Sequence, residues 1–178
     1  MDSDAPPNLR RSQLEVIAGM AIGIGLGAGI GFLLWRHLGV SARPAEIHER
    51  LAFAAKWSLM PAICLLVGIA MVANHRFFSR CIDPLDTAPD RTLAIWRHYL
   101  ANTQEQTVLF VIGTAAFAAV TPLYWLKAIP IIAALFVLGR ILFVTGYLIR
   151  PTLRATGFAL TFYPIVGLYA VTTWLYWF

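Results

Sequence analysis

Two stretches of this sequence gather polar groups at helical spacing. In IWRHYLANTQEQTVLF, the residues His98, Asn102, Glu105 and Gln106 recur every three or four positions. A helix would place their imidazole, two amides and carboxylate on one face. In LFVLGRILFVTGYLIRPTLRATG, Arg140, Phe143 and Tyr147 share a face by i, i+3, i+7 spacing, and Arg154 follows just beyond Pro151. The surrounding residues are largely apolar. Glu105 and Arg140 are therefore charges that a low-dielectric environment tolerates only with a partner, so Glu105 should face the protein interior, and pairing the two would neutralise both. That pair could serve only to fasten two helices. Asn102, Tyr147 and Arg154 fall toward the same end of those helices, however, which favours a site holding a polar ligand.

The elements that must position these residues are membrane spans. Of 178 residues, 59% are hydrophobic and 13% charged, and the mean hydropathy is +0.70. Soluble domains carry roughly 25% charged residues, so a soluble enzyme is excluded, and the apolar, aromatic content excludes intrinsic disorder. Unbroken apolar runs cover 16–35, 57–74, 106–126, 128–149 (interrupted by Arg140) and 155–178. None alternates as a barrel strand would, and each approaches the roughly 20 residues a helix needs to cross a bilayer. The sequence thus predicts five transmembrane helices. The first run is too long for a signal-peptide core and lacks a small-residue cleavage site, so it reads as a retained helix.

That first run, AGMAIGIGLGAGIG, sets Gly19, Gly23, Gly27 and Gly31 four residues apart, with Gly25 and Gly29 as a second row. The glycine spacing of a dinucleotide loop does not occur, and no strand precedes it. A glycine strip on one helix face predicts close approach by another helix. The segment 75–91 reads as the longest polar connection, with Pro84, Pro89 and three aspartates. Cys64 lies in the second span and Cys81 in that connection, so neither points to a disulfide or a paired metal site. His37, His48, His75 and His98 show no ligand spacing, and no metal centre is expected.

Of the fourteen Lys and Arg residues, Lys56 and Arg140 fall inside spans, and sorting the other twelve gives an orientation. Arg10, Arg11, Arg76, Arg80, Arg91, Arg97, Arg150 and Arg154 fall on one side, against Arg36, Arg43, Arg50 and Lys127 on the other. The excess predicts that the N-terminus and the 75–91 connection are cytoplasmic, in an inner or cytoplasmic membrane. The net charge of +5 is thus topology, not a nucleic-acid footprint.

The pattern N-x-x-E at Asn102 and Glu105, G-R-x-x-x-x-x-G-Y from Gly139 to Tyr147, and Arg154 seven residues later resembles the MAPEG superfamily. These are membrane-associated proteins of eicosanoid and glutathione metabolism, most of them transferases, one a lipid-presenting protein. The resemblance covers about 51–178. It implies an all-α integral membrane protein: a MAPEG-like four-helix bundle, here with a cytoplasmic tail at 1–13 and an additional Gly-rich transmembrane helix at 14–36. It further implies a homotrimer in the lipid bilayer, with glutathione as cosubstrate bound between subunits near the cytoplasmic face. By that resemblance His98, Asn102, Glu105, Arg140 and Tyr147 would bind glutathione. Arg154 would be catalytic, favouring the thiolate that attacks a lipophilic electrophile or reduces a lipid hydroperoxide.

The chain departs from the family pattern at three places. Positions one and four before Asn102, often arginine in glutathione-binding members, are Ala101 and His98. The position four before Tyr147 is Phe143, which cannot hydrogen-bond. The first helix is an addition. These departures motivate a second expectation: a non-enzymatic, lipid-binding or accessory subunit, whose larger membrane-protein partner would dock on the Gly-rich helix.

Overall fold

The computed structural model describes residues 9–39, 46–79 and 90–178. Five long helices follow one another: α1 (Leu9–His37), α2 (Ile47–Phe78), α3 (Arg91–Val120), α4 (Ala128–Ile149) and α5 (Arg154–Trp177), with a 3-10 turn, Leu123–Lys127, leading into α4. No strand occurs among the described residues. Spans matching α1, α2, α4 (with the preceding turn) and α5 are long and apolar enough to cross a membrane. At 30 residues, α3 is just as long. Arg91, Arg97, His98, Gln104, Glu105 and Gln106 crowd its first half, and this is what lowers its hydropathy. The 75–91 connection is shorter than expected, since α2 continues through His75 to Phe78. Residues 80–89, including Cys81, lie outside the described residues.

Local chemistry sets the helix ends. Asp90 caps α3 by accepting from the Leu93 backbone N–H at 2.9 Å. It also meets His75 Nε2 at 2.7 Å, which joins the end of α2 to the start of α3. Glu46 and Glu49 form a reciprocal capping box at the start of α2. Pro151 follows the last α4 carbonyl bond, from Arg150 N–H to Gly146 O, and stops the helix.

The most extensive pairings are α2 with α3, α4 with α5, and α1 with α5. The core is aromatic and aliphatic: Phe110, Phe117, Phe136, Ile129, Ala133 and Ile165 are all but fully buried, and the Phe110 and Phe136 rings meet edge to face at 5.8 Å. Close backbone contact fixes the α4–α5 seam. A Cβ on Gly157 would collide with Phe143 N and Gly139 O, and one on Gly139 with Thr161 Oγ1. Only glycine allows this approach.

The glycine strip of α1 does what its spacing predicts, and the helix it meets is α5. Gly19, Gly23 and Gly27 are buried. A Cβ on Gly23 would strike Thr156 O and come within 2.8 Å of the Ala159 Cβ, whereas Gly25 and Gly29 face open space. This face of α1 is therefore occupied by the same chain. Both ends of α1 are tied as well. At one end Glu15 accepts from Thr152 Oγ1 at 2.9 Å. At the other, buried Lys127 donates to Trp35 O at 2.9 Å, with its ammonium over the Trp35 and Tyr124 rings at 4.2 and 4.0 Å.

The contacts also sort the two ends of the bundle. The starts of α1, α3 and α5 and the finishes of α2 and α4 share one end, which carries Arg10, Arg11, Arg76, Arg91, Arg97, Arg150 and Arg154. At the opposite end, Arg50 donates to Thr121 O at 2.6 Å, so this cation, like Lys127, caps free helix carbonyls.

Candidate functional site

Every site residue singled out in the sequence lies in the half of the bundle nearest the basic end, on α3, α4 and α5. They form a chain of polar contacts. Arg140, 1% exposed, donates from Nη1 to Asn102 Oδ1 at 2.7 Å and from Nη2 to Thr161 Oγ1 at 2.9 Å. The Thr161 hydroxyl in turn donates a hydrogen bond to Gly157 O at 3.0 Å. Asn102 then donates from Nδ2 to Glu105 Oε2 at 3.4 Å. An arginine can only donate and a carboxylate only accept. The asparagine amide is thus oriented, with its oxygen toward the cation and its nitrogen toward the anion.

This corrects the direct Glu105–Arg140 pair expected from the sequence. The guanidinium bonds Asn102 and Thr161, and the carboxylate is one link further away. It also corrects the expectation that Glu105 faces the protein interior: the side chain is exposed on the outer face of α3. There, with Ala101, Gln104, Val108 and Leu109, it lines a groove of about 570 Å³. The reason is helix geometry. Glu105 lies three residues from Asn102, about 60° around from it, while Thr103 and Gln106 take the buried positions. Arg140 keeps its charge in the low-dielectric interior through two hydrogen bonds and the flanking rings of Phe136 and Phe143, 5.5 and 4.9 Å from its guanidinium carbon.

Closer to the basic end, Arg154 lies over the Tyr147 ring at 5.0 Å, and His98 sits beside that ring with centroids 6.1 Å apart. Tyr147 packs edge to face on Phe143 at 6.0 Å. Asn102, Phe143, Thr152 and Arg154 open onto one cavity of about 420 Å³, whose remaining walls are Val16, Met20, Pro151, Ala155 and Phe158. The structure therefore brings Asn102 and Arg154 to a shared cavity, with Arg140 behind Asn102 and Tyr147 and His98 behind Arg154. Glu105 it places on the other flank of α3.

Thr161, Thr152, Phe158 and the two α1 residues were not recognised from the sequence. Thr161 had a signal: it lies seven residues after Arg154 and four after Gly157, on one helix face. Val16 and Met20 had none, because nothing in their spacing says which helix they border.

The order of these elements can be set beside known proteins. A profile of the MAPEG family matches residues 54–174, more than half of the chain. The chain belongs to the MAPEG family. The match begins within α2 and ends within α5, so it covers the four-helix bundle, and α1 precedes it. Among curated relatives, Transmembrane protein 79 of Mus musculus is 21% identical over 126 residues, which is 71% of this chain and 32% of that protein. Its Bos taurus counterpart is 22% identical over the same extent. The chain thus spans about a third of the length of the curated relatives it matches. No solved structure matches. As a MAPEG protein with long apolar helices and transmembrane relatives, it is an integral membrane protein related to the glutathione and eicosanoid branch of membrane metabolism.

Proposed function

We propose that this MAPEG protein is a glutathione-dependent transferase or peroxidase acting on electrophiles dissolved in the bilayer, with the basic end and the N-terminus on the cytoplasmic side. The observation that carries this reading is the single cavity onto which Asn102, Thr152 and Arg154 open between apolar walls. The residues fit the tripeptide in part. Arg154 offers a cation, Asn102 an oriented amide and Thr152 a hydroxyl, in a cavity within the few hundred Å³ usual for small-molecule sites. Ala101 and His98 offer no guanidinium for its carboxylates.

Glutathione supplies the sulfur nucleophile. Arg154, at the start of α5, stabilises the thiolate over the thiol by its charge and by the helix N-terminus it occupies. With an electrophilic carbon, the C–S bond forms and the displaced pair leaves on the leaving group. With a hydroperoxide, two glutathiones are oxidised to the disulfide while alcohol and water form. Arg140 is too deeply buried to meet glutathione, so it acts as a positioning residue through Asn102. Glu105, exposed at membrane depth, is suited to a neighbouring subunit, in keeping with a homotrimer whose glutathione amino group it would meet.

A second reading is a non-enzymatic lipid-binding or accessory subunit. It is favoured by the absence of a guanidinium at Ala101 and His98 and of any side-chain donor at Phe143. A glutathione thermal-shift titration of the detergent-purified protein separates the two. The enzyme reading expects stabilisation at millimolar glutathione that Arg154→Ala and Glu105→Ala weaken. No stabilisation of the wild type would sink it.

A further inference from the structure

We infer that α1, which lies outside the four-helix bundle, is a wall of the reaction site, and that Val16 and Met20 select the acceptor by bulk. This rests on the transferase reading and adds what it lacks, a residue-level determinant of the electrophile. Val16 and Met20 lie one turn apart, both half-buried, and both line the cavity that holds Arg154 and Asn102. Phe143 and Phe158 line it too, so the cavity is an apolar slot that also holds a cation, an amide and the Thr152 hydroxyl.

The wall is fixed. Gly19 and Gly23 hold α1 against Ala155, Thr156 and Ala159, so closely that even a methyl group at Gly23 would collide with α5 backbone. Glu15, one residue before Val16, is bonded to Thr152 of the α4–α5 turn, and Lys127 holds the far end of the helix. A slot bounded by such a wall admits a compact apolar electrophile, a short chain or a single ring, with its reactive carbon near Arg154. An α,β-unsaturated aldehyde serves as probe. The thiolate adds to its β-carbon, the C–S bond forms, the π pair moves through the enolate, and the α-carbon takes up one proton. Nothing leaves, and no oxidant is needed.

The test compares hexenal with the ring-bearing cinnamaldehyde in the purified full chain, by kcat/KM for each acceptor, with the KM for glutathione measured alongside. Met20→Trp should lower kcat/KM for cinnamaldehyde about tenfold relative to hexenal, and Met20→Ala should shift the same ratio the other way by several-fold. Glutathione KM should stay within about twofold in both, as expected for a pocket contact that touches only the acceptor. Gly25→Leu, on the open face of α1, should change nothing and controls for a folded α1. If the wild type turns over both aldehydes and neither Met20 variant moves the ratio, α1 is not a wall of the site and the inference is overturned. If the wild type is not stabilised by glutathione and adds it to neither aldehyde, the transferase reading itself has failed and the inference falls with it.

Discussion

Arg140 and Glu105 are two charges in one apolar bundle, handled in opposite ways. Arg140 is enclosed, hydrogen-bonded to Asn102 and Thr161 and flanked by Phe136 and Phe143. Glu105 is exposed on the outer face of α3 and meets the network through Asn102. The first charge is held within the protomer through both terminal nitrogens, with only its Nε unpartnered, and serves its architecture. The second is left at a depth where lipid would be a poor neighbour, which makes it the group suited to something from outside the chain. A single hydrogen-bonded network thus has an enclosed end and an exposed end, and Asn102 is the joint between them.

Substitutions can break that contrast or sharpen it. The largest effect is expected from Arg140→Ala, which strands Asn102 and Thr161 and opens a void beside Phe136 and Phe143. Unfolding in detergent should show a loss of about 3 kcal/mol, and a loss below about 1 kcal/mol would remove the distinction between the two charges. Next comes Gly23→Leu, which must push α1 off α5, for about 2 kcal/mol by the same assay. Gly25→Leu should leave stability nearly unchanged.

Glu105→Gln should change protomer stability by no more than about 0.5 kcal/mol, as surface substitutions do, yet remove most of the glutathione-dependent thermal shift. A stability loss matching that of Arg140→Ala would show that Glu105 is structural too. The smallest effect concerns the α2–α3 corner. The hydrogen bond from His75 holds the Asp90 carboxyl below its ordinary value of 3.8. A depressed carboxylate contributes stability that is present above its unfolded-state value and lost as pH falls through the folded one. Amide exchange at Arg91–Leu93 should therefore rise only below about pH 3.8, and Asp90→Asn should remove that pH step.

Much of this was legible in the sequence because the bilayer allows few solutions. Apolar run length gave the helices, and the four-residue glycine period of α1 foretold a close helix contact. The polar spacing on α3 and α4 gave Asn102, Arg140 and Tyr147 a common end. What stayed hidden was pairing. The cost of burying Glu105 and Arg140 argued for an ion pair, but cost alone cannot say that an asparagine and a threonine will share one charge while the other turns outward. The glycine strip likewise said that α1 needs a neighbour and not which one, so the cavity walls at Val16 and Met20 could not be read. Where α3 was concerned, the same polar residues that mark the site also mask its membrane character.

The tether between α1 and α5 has a consequence for how the chain is made. The ribosome delivers α1 well before α5, and the surface that its glycine strip needs does not exist until Ala155, Thr156 and Ala159 have entered the membrane. Until then α1 has only the α4 side to hold it, through Ile131, Leu135 and Lys127 at its far end. Closure of the bundle is thus a late event in biosynthesis. A chain halted before α5 would present a bare glycine face to whatever quality-control machinery surveys the membrane.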